Sequence, residues 1–416
     1  MKKNVSSILV LFIALVFMFH FSGCENLKPS SLKANYHLKK ANKLYVEEKY
    51  KRATKEYETA LELNPDLKLV YIYLGTSYSS IYRPMKDDAR NKMYGEKAVE
   101  ALLNAKEFEP ENENVVIALG EIYDKMGNFE EAEKYYLQIL EKATDDPKSY
   151  YTLADFYSKN ARAENADAMY KKRIELEPEN PDGYHYYVGF LQDQRRWPDA
   201  VSAHEKRLYA MLDPGIIKTV REIEKLESET VTVKKIVDFM GKLKKNKRVD
   251  KAEKQRLLDE SQQKLEGKLL PEQAEKKITE LKVKVEEQVK LAETTIEGMD
   301  AEKKQKIAEA YYSIGHVCWN WSYQTQAAFM AAEERDPIIE KGLDNLKKST
   351  EIVPDFAYPY SYMGLLYREK IKVEPLRKDE FVKLNEKYNK RFLDIYKRKQ
   401  KSEEFRKELE KMGKEG

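Results

Sequence analysis

Small residues recur in this chain at a near-constant interval, and that spacing constrains the fold more than any other feature. They stand at Ala41, Gly75, Gly120, Ala154 and Val188. Three of the four intervals are 34 residues, and the interval from Gly75 to Gly120 is 45, one period plus an insertion of eleven around 82–88. A second set follows the same interval at Ala53, Ala98, Ala132, Ala166 and Ala200. Such a period is typical of stacked repeats rather than of one compact core.

Each repeat has the pattern of two helices joined by a turn. Leu74 and Tyr78 stand four residues apart, the spacing of one helix face, and Gly127 gives a turn signal between two helices. Prolines close three of the repeats because proline disfavours helical conformation in the residue before it; they are Pro65, Pro110 and Pro178. Small residues allow the two helices to contact each other. The apolar face that each hairpin leaves exposed is covered by stacking on the next hairpin.

The best copies of the pattern resemble the tetratricopeptide repeat family. They are residues 71–78 and 116–123, the latter followed by 127–132 and Tyr136. The resemblance implies an all-α solenoid of helix hairpins with five units over 34–214, wound as a right-handed superhelix. It also extends to two degenerate units over 304–372, and the lysine-rich segment 373–416 is then expected to be a helix that caps the array.

Between these blocks, residues 215–303 are rich in lysine and glutamate. Apolar residues recur there at three- and four-residue steps, the spacing of a coiled-coil seam; they are Ile278, Leu281, Val285, Val289, Ala292, Ile296 and Met299. A second helix over 236–243 would pair with this one through Leu257, Leu258 and Leu265 to form an inserted long charged helical hairpin. The alternative is a charged, partly disordered linker. The lysine-rich stretch 241–254 would form either a basic tip for anionic lipid or cell-wall polymers or a solvated face.

The N-terminus has the features of a secretory signal peptide over 1–23. Lys2 and Lys3 form a basic start, and an apolar run covers 8–19. Residues 21–24 resemble the bacterial lipobox, with Phe21 where leucine is usual. The resemblance implies that Cys24 is acylated and becomes the mature N-terminus.

A lipidated Cys24 would hold the rest of the chain on a membrane through a tether over 24–33. Glu25 is not the aspartate associated with inner-membrane retention, which favours the outer membrane of a bacterial cell envelope. The alternative is that 5–23 remains as an uncleaved anchor. Either reading places the mature chain outside the cytoplasm.

Composition excludes several classes of protein. The 75 basic and 72 acidic side chains give a formal charge of +3, which lacks the excess of positive charge expected of a nucleic-acid binder. Two cysteines and five histidines do not support a disulfide framework or a multi-histidine metal site. No metalloprotease, nucleotide-binding, hydrolase or haem-attachment motif is present in the sequence. We therefore expect a chain that is not an enzyme and carries no cofactor or metal.

The remaining function is recognition of another protein. The resemblance implies that the first helix of each hairpin lines a concave groove. The groove residues would be Asn42, Tyr45, Thr76, Glu121, Asp124, Tyr151, Asp155, His185 and Gln192. Their acidic members favour a basic or neutral peptide, and the alternative for each residue is simple solvation.

The sequence thus predicts a lipid-anchored scaffold that binds an envelope protein or peptide and helps to assemble or position an envelope complex. A competing hypothesis is a small-ligand carrier or enzyme that uses the aromatic region near Trp319 and Trp321. Cys318 is expected to be a buried, small apolar residue. The oligomeric state, the identity of the partner and the choice of membrane stay open.

Overall fold

A computed structural model describes residues 29–246, 249–324 and 330–412. These residues form α-helices and short 3₁₀ turns with no β-strand, so the all-α prediction is confirmed. The chain divides into two compact units, Met1–Lys172 and Arg173–Gly416. The predicted signal peptide over 1–23 and Cys24 lie outside the described residues. None of the described helices is both long and apolar enough to cross a membrane.

The first unit is built from consecutive helix pairs. Its helices are α1 (Pro29–Val46), α2 (Tyr50–Leu63), α3 (Val70–Ile81), α4 (Ala89–Phe108), α5 (Glu113–Lys125), α6 (Phe129–Lys142), α7 (Pro147–Lys159) and α8 (Ala163–Leu176), the last of which contains the division between the units. α1 packs against α2, α3 against α4 and α5 against α6. The first helices also touch each other in sequence, α1 with α3 and α3 with α5, so that they share one face of the array.

The second unit continues with nine described helices. They are α9 (Pro181–Asp193), α10 (Trp197–Leu212), α11 (Pro214–Lys245), α12 (Lys251–Leu265), α13 (Pro271–Thr294), α14 (Ala301–Tyr323), α15 (Ala332–Ile352), α16 (Ala357–Val373) and α17 (Lys378–Met412). Short 3₁₀ turns cover Ile296–Gly298 and Pro375–Arg377. α9 packs against α10, and α10 also contacts α14.

Short polar side chains begin many of these helices. The side chain of Asp88 accepts a hydrogen bond from the backbone N–H of Asn91 at 2.9 Å, and Asp146 accepts from Lys148 and Ser149. Similar caps precede other helices, at Asn112, Asn128, Asn180, Asp213, Asp250 and Asp300. These side chains satisfy backbone donors that have no partner within the helix, and they fix where each of these helices starts.

The repeated small residues lie where paired helices cross. Ala41 and Ala53 have no exposed surface. A Cβ atom on Gly75 would lie 2.6 Å from Cγ of Leu102 on the partner helix, and one on Gly120 would lie 2.9 Å from the Tyr136 ring. Larger side chains would therefore force the paired helices apart.

The described parts of the charged segment, 215–246 and 249–303, are mostly helical, and α11 packs directly against both α13 and α12. Most of the predicted seam is buried, at Ile278, Leu281, Val285, Ala292 and Ile296. The observed helices differ from the predicted hairpin. α12, which carries Leu257 and Leu258, is a separate helix that lies between α11 and α13 in the sequence rather than part of one long hairpin arm. The seam helix also ends at Thr294, so that Ile296 lies in a 3₁₀ turn. The lysine-rich turn includes residues 247 and 248, which lie outside the described residues.

The C-terminal helices form a second core. Leu343, Leu346, Leu366 and Phe381 are buried together, the last of these on α17. α17 packs on α16 and covers its apolar surface, as expected of a capping helix. A largely buried ion pair borders this core, in which Arg335 lies 2.6 Å from Glu369.

The turns inside three successive hairpins have the same backbone conformation, although a different residue adopts it in each. Gly127, Ala161 and Arg195 follow each other at 34-residue intervals, and their φ angles are +77°, +57° and +54°. Only glycine adopts this left-handed region without a steric penalty, which is roughly 1–2 kcal/mol for other residues. The repeat therefore keeps the turn geometry even where alanine or arginine replaces glycine.

We expect Ala161→Gly to stabilise the first unit by about 1 kcal/mol, because it removes the contact between Cβ and the carbonyl oxygen. Gly127→Ala should destabilise it by a similar amount. As a control, Ala168→Gly at an exposed position inside α8 should lower the free energy of unfolding by about 1 kcal/mol through lost helix propensity. Urea denaturation followed by circular dichroism measures all three. Equal losses for Ala161→Gly and Ala168→Gly would contradict the proposed strain.

Candidate partner-binding surface

The predicted groove residues of the first two hairpins lie beside a group of packed tyrosines. Tyr57 donates a hydrogen bond to Oδ1 of Asn42 at 2.8 Å. Thr76 donates to the carbonyl of Ile72 at 2.9 Å, and its oxygen lies 3.5 Å from the Tyr45 hydroxyl. Asn42 and Thr76 are therefore engaged in contacts within the array itself.

Tyr45 joins two neighbouring hairpins through aromatic contacts. Its ring packs edge-on against Tyr50 at 5.5 Å and against Tyr73 at 5.4 Å. Tyr73 also stacks on Tyr57, with 6.2 Å between the ring centroids. Tyr73 remains exposed over 43% of its surface. These rings give the start of the first-helix face a rigid aromatic surface that a peptide can contact at low entropic cost.

Three carboxylates act electrostatically on one buried phenol further along the same unit. Glu121 and Asp124 lie on α5, Asp155 lies on α7, and we refer to the three as the acidic cluster. Burial and then the negative charges of Asp124, Glu121 and Asp155 raise the pKa of Tyr136 on α6. The structure thus brings together side chains that stand up to 34 positions apart in the sequence.

One cation and one amide lie within the acidic cluster. Nζ of Lys159 lies 2.5 Å from Asp155. Its hydrogen bond to Asp155, with further contributions from the charges of Asp155 and Asp124, raises the pKa of Lys159. Asn160 donates to Asp124 at 2.9 Å. Since Glu121 is exposed and pairs with no described cation, the cluster keeps an excess of two negative charges.

Tyr151 contributes to the same surface. It lies on α7 one helical turn before Asp155, and its phenol contributes to the raised pKa of Lys159. The sequence did not indicate Tyr136, Lys159 or Asn160 as members of the site. The four-residue spacing of Asp155 and Lys159 could have indicated their ion pair. The position of Tyr136, on the second helix of a hairpin, gave no comparable signal.

The last two predicted residues belong to the second unit. His185 and Gln192 both lie on α9, two turns apart, and so share one helix face. His185 is exposed, and its ring packs edge-on against Tyr186 at 5.4 Å. Partial burial, and then the positive charge of Arg207, lower the pKa of His185.

A buried histidine lies close to His185. His204 on α10 is 5% exposed, and its buried Nδ1 atom makes no hydrogen bond with the described residues. Burial, followed by the charges of Arg207, His185 and His316, lowers the pKa of His204 to about 3. His204 is therefore neutral in the folded second unit at neutral pH.

Trp319 and Trp321, both on α14, lie in different surroundings. Trp319 stacks on Tyr323 at 5.2 Å and packs edge-on against Tyr362 at 5.2 Å. Trp321 instead lines a cleft of about 360 Å³ with Cys318, and Trp319 is not among the residues that line this cleft. Cys318 is fully buried, as expected, and burial raises the pKa of its thiol to about 12. A protonated, buried thiol is a poor nucleophile.

Metal ligands are not grouped in the described part of the chain. No set of three or more histidine, cysteine, aspartate or glutamate side chains over 29–246, 249–324 and 330–412 has an arrangement that could hold a metal ion.

Comparison with known families places the acidic cluster within identified repeats. Residues 95–156 and residues 147–180 each match a sequence model of the tetratricopeptide repeat. The chain therefore contains tetratricopeptide repeats over 95–180, as predicted, and repeats of this kind typically form protein-interaction scaffolds without catalytic activity. No curated protein matches the chain significantly.

Several solved structures resemble part of the chain. A structure of MamA is 17% identical and covers 43% of this chain and 91% of its own, with a TM-score of 0.34. PilF of Pseudomonas aeruginosa is 16% identical and covers 47% and 87%, with a TM-score of 0.32. YrrB, described as a tetratricopeptide repeat protein with an unusual peptide-binding site, is 17% identical and covers 45% and 90%, with a TM-score of 0.31. At these TM-scores the similarity does not bear on function.

We expect acid to destabilise the second unit through His204. The folded pKa of about 3 lies below the ordinary value of 6.5, so folding favours the neutral ring. The stability that the neutral His204 ring contributes is fully present above about pH 6.5. It is lost as the pH falls toward 3, at about 1.4 kcal/mol per pH unit. His204→Leu should therefore lose about 1.4 kcal/mol less than wild type between about pH 7.5 and about pH 5.5.

Tryptophan fluorescence reports this unit alone, since the three tryptophans are Trp197, Trp319 and Trp321. Urea denaturation at the two pH values gives the free energies. Val201→Ala, at a buried position of α10, serves as the control because it should lower the free energy of unfolding equally at both pH values. An unchanged pH dependence in His204→Leu would show that protonation of His204 does not destabilise the unit.

Proposed function

We propose that this chain is a scaffold that binds a basic or neutral segment of a partner protein along the first helices of its repeats. The acidic cluster carries the proposal. Glu121, Asp124 and Asp155 lie on the first helices of two successive hairpins, and only Lys159 among the described residues forms an ion pair with any of them. A lysine or arginine of a partner would complete this surface.

The chemistry of the surrounding side chains supports an extended peptide. Tyr151 and the tyrosines around Tyr45 supply rigid aromatic area, and Asn160 supplies an amide beside the carboxylates. Aromatic contacts and amide hydrogen bonds are common in peptide recognition, whereas the carboxylates select against acidic ligands. Glu121 is exposed and has no described ion-pair partner, so that a partner's cation can pair with it without breaking an existing pair.

Neutralising the acidic cluster should weaken binding of a basic peptide. The variant Glu121→Gln, Asp124→Asn, Asp155→Asn keeps the shape of each side chain and removes three charges. We expect it to raise the Kd for a fluorescein-labelled lysine-rich peptide about tenfold at about 50 mM salt, since partly exposed pairs contribute about 0.5 kcal/mol each. Fluorescence anisotropy with the full chain measures the effect.

A matched variant tests whether net charge alone explains the result. Glu96, Glu100 and Glu107 are exposed on α4, and changing all three to glutamine alters the net charge by the same amount. This variant should keep the wild-type Kd. If both triple variants bind the peptide equally, the acidic cluster is not the binding surface.

We further propose that the scaffold is lipid-anchored through Cys24 in a bacterial cell envelope, where it helps to assemble or position a protein complex. The basic start, the apolar run and the small residues before Cys24 support this proposal. Two or more acyl chains on one residue give stable attachment, whereas a single chain gives marginal binding. Glu25 favours delivery to the outer membrane.

The anchor makes a direct prediction about Cys24→Ser. The serine variant cannot be acylated, so we expect most of it to leave the membrane fraction, whereas the wild-type protein sediments with membranes. Mass spectrometry of the wild-type N-terminus should show an acylated Cys24 and no residues 1–23. Cys318→Ser, which removes the other cysteine, should sediment like wild type. Equal membrane retention of Cys24→Ser would contradict lipidation as the means of attachment.

A further inference from the structure

A basic cleft, opposite in charge to the acidic cluster, lies at the turns of the first two hairpins. It encloses about 560 Å³ between the turn that joins α1 to α2 and the loop that joins α3 to α4. The residues that line it include more cations than anions. The cations are Lys49, Lys51, Arg52, Arg83, Lys86 and Arg90, and the carboxylates are Glu48 and Asp88.

Four of these cations make no ion pair within the described chain. Lys49 pairs with Glu47 at 2.8 Å, and Lys86 pairs with Asp88 at 2.9 Å. The remaining four side chains are exposed and have no carboxylate within ion-pair distance among the described residues; they are Lys51, Arg52, Arg83 and Arg90. Glu48 is the one carboxylate of the lining that none of these ion pairs uses, so the cleft keeps an excess of positive charge among its described residues.

The loop that forms one wall has a defined conformation. It is the eleven-residue insertion around 82–88, which interrupts the 34-residue period. Asn91 is 4% exposed and holds this loop through three hydrogen bonds. Its side chain accepts from the backbone N–H of Arg83 at 2.9 Å and donates to the carbonyls of Arg83 and Lys86 at 2.8 and 2.7 Å. Asn91 therefore fixes the backbone that presents Arg83.

We propose that this cleft binds an acidic segment of a partner protein. Its volume lies within the range of about 300–1,000 Å³ that is typical of binding pockets, which is more than one phosphate group requires. Tyr50 and Tyr94 are half-buried in its walls, and Ile81 adds apolar surface. Aromatic and aliphatic walls beside arginine suit a peptide that carries both carboxylates and apolar side chains.

The position of the cleft favours a protein over a lipid head group. It lies at the C-terminal end of α1, about 27 Å along the helix from Pro29. The preference for a protein rests on the proposed anchoring through Cys24, which would attach the membrane at the end of α1 opposite to the cleft. The cleft lies at turns and helix ends, shares no residue with the acidic cluster and carries the opposite charge. The first unit would thus offer separate surfaces to basic and to acidic segments.

Binding of a labelled twelve-residue peptide of alternating glutamate and leucine to the full chain tests the proposal. The variant Arg52→Glu, Arg83→Glu, Arg90→Glu should raise the Kd at least about tenfold, and higher salt should weaken wild-type binding. The control Lys33→Glu, Lys39→Glu, Lys148→Glu makes the same charge change at exposed positions outside the cleft and should bind like wild type. A peptide in which glutamine replaces glutamate should bind at least about tenfold more weakly.

A second variant tests the loop without changing any charge. Asn91→Ala removes the three hydrogen bonds to the loop and should raise the Kd severalfold, with the circular dichroism spectrum unchanged. Equal affinity of the Arg52, Arg83, Arg90 variant and its control would overturn the proposal. Displacement of the peptide by inorganic phosphate or glycerol 3-phosphate, but not by chloride at equal ionic strength, would overturn it in favour of a phosphate site. Association of the chain with itself that the Arg52, Arg83, Arg90 variant abolishes, without peptide binding, would assign the cleft to a second copy.

Discussion

Close contact at small residues between paired helices is the constraint on which the other features of the first unit depend. At Gly75 and Gly120 a single added carbon would overlap a side chain of the partner helix. Because the helices approach so closely, Tyr136 packs across Gly120 and brings its hydroxyl toward Glu121 and Asp124 on the neighbouring helix. The same contact that defines the hairpin therefore also places the phenol where the charges of the acidic cluster act on it.

Charge on the first unit is segregated rather than balanced at each site. The acidic cluster keeps an excess of two negative charges on the first helices, whereas the cleft at the hairpin turns keeps four cations without an ion pair against one such carboxylate, Glu48. A formal charge of +3 for the whole chain conceals this separation. On the two proposals, opposite charges on distinct surfaces would allow one scaffold to discriminate between partner segments, because each surface would repel the ligand of the other.

The sequence predicted the features that depend on periodicity and missed those that depend on contacts between repeats. The small residues at 34-residue intervals were sufficient to predict the helix hairpins. The spacing of Ile278, Leu281 and Val285 predicted a buried seam. Asn160 escaped notice because its hydrogen bond to Asp124 forms only when the end of α7 meets α5. The ion pair of Lys159 with Asp155 lies within α7, and its four-residue spacing was present in the sequence. The left-handed turn at Ala161 also escaped notice, because alanine gives no local signal for that conformation.

Site-specific photo-crosslinking in native membranes tests most directly whether the first-helix face binds a partner. A photoreactive residue at Ser158, on the same face of α7 as Asp155, leaves every carboxylate of the acidic cluster in place. We predict one abundant covalent adduct from this position, lost on addition of excess lysine-rich peptide, and none from the exposed Glu107 on α4. Equal adducts from both positions, or none from Ser158, would contradict the account.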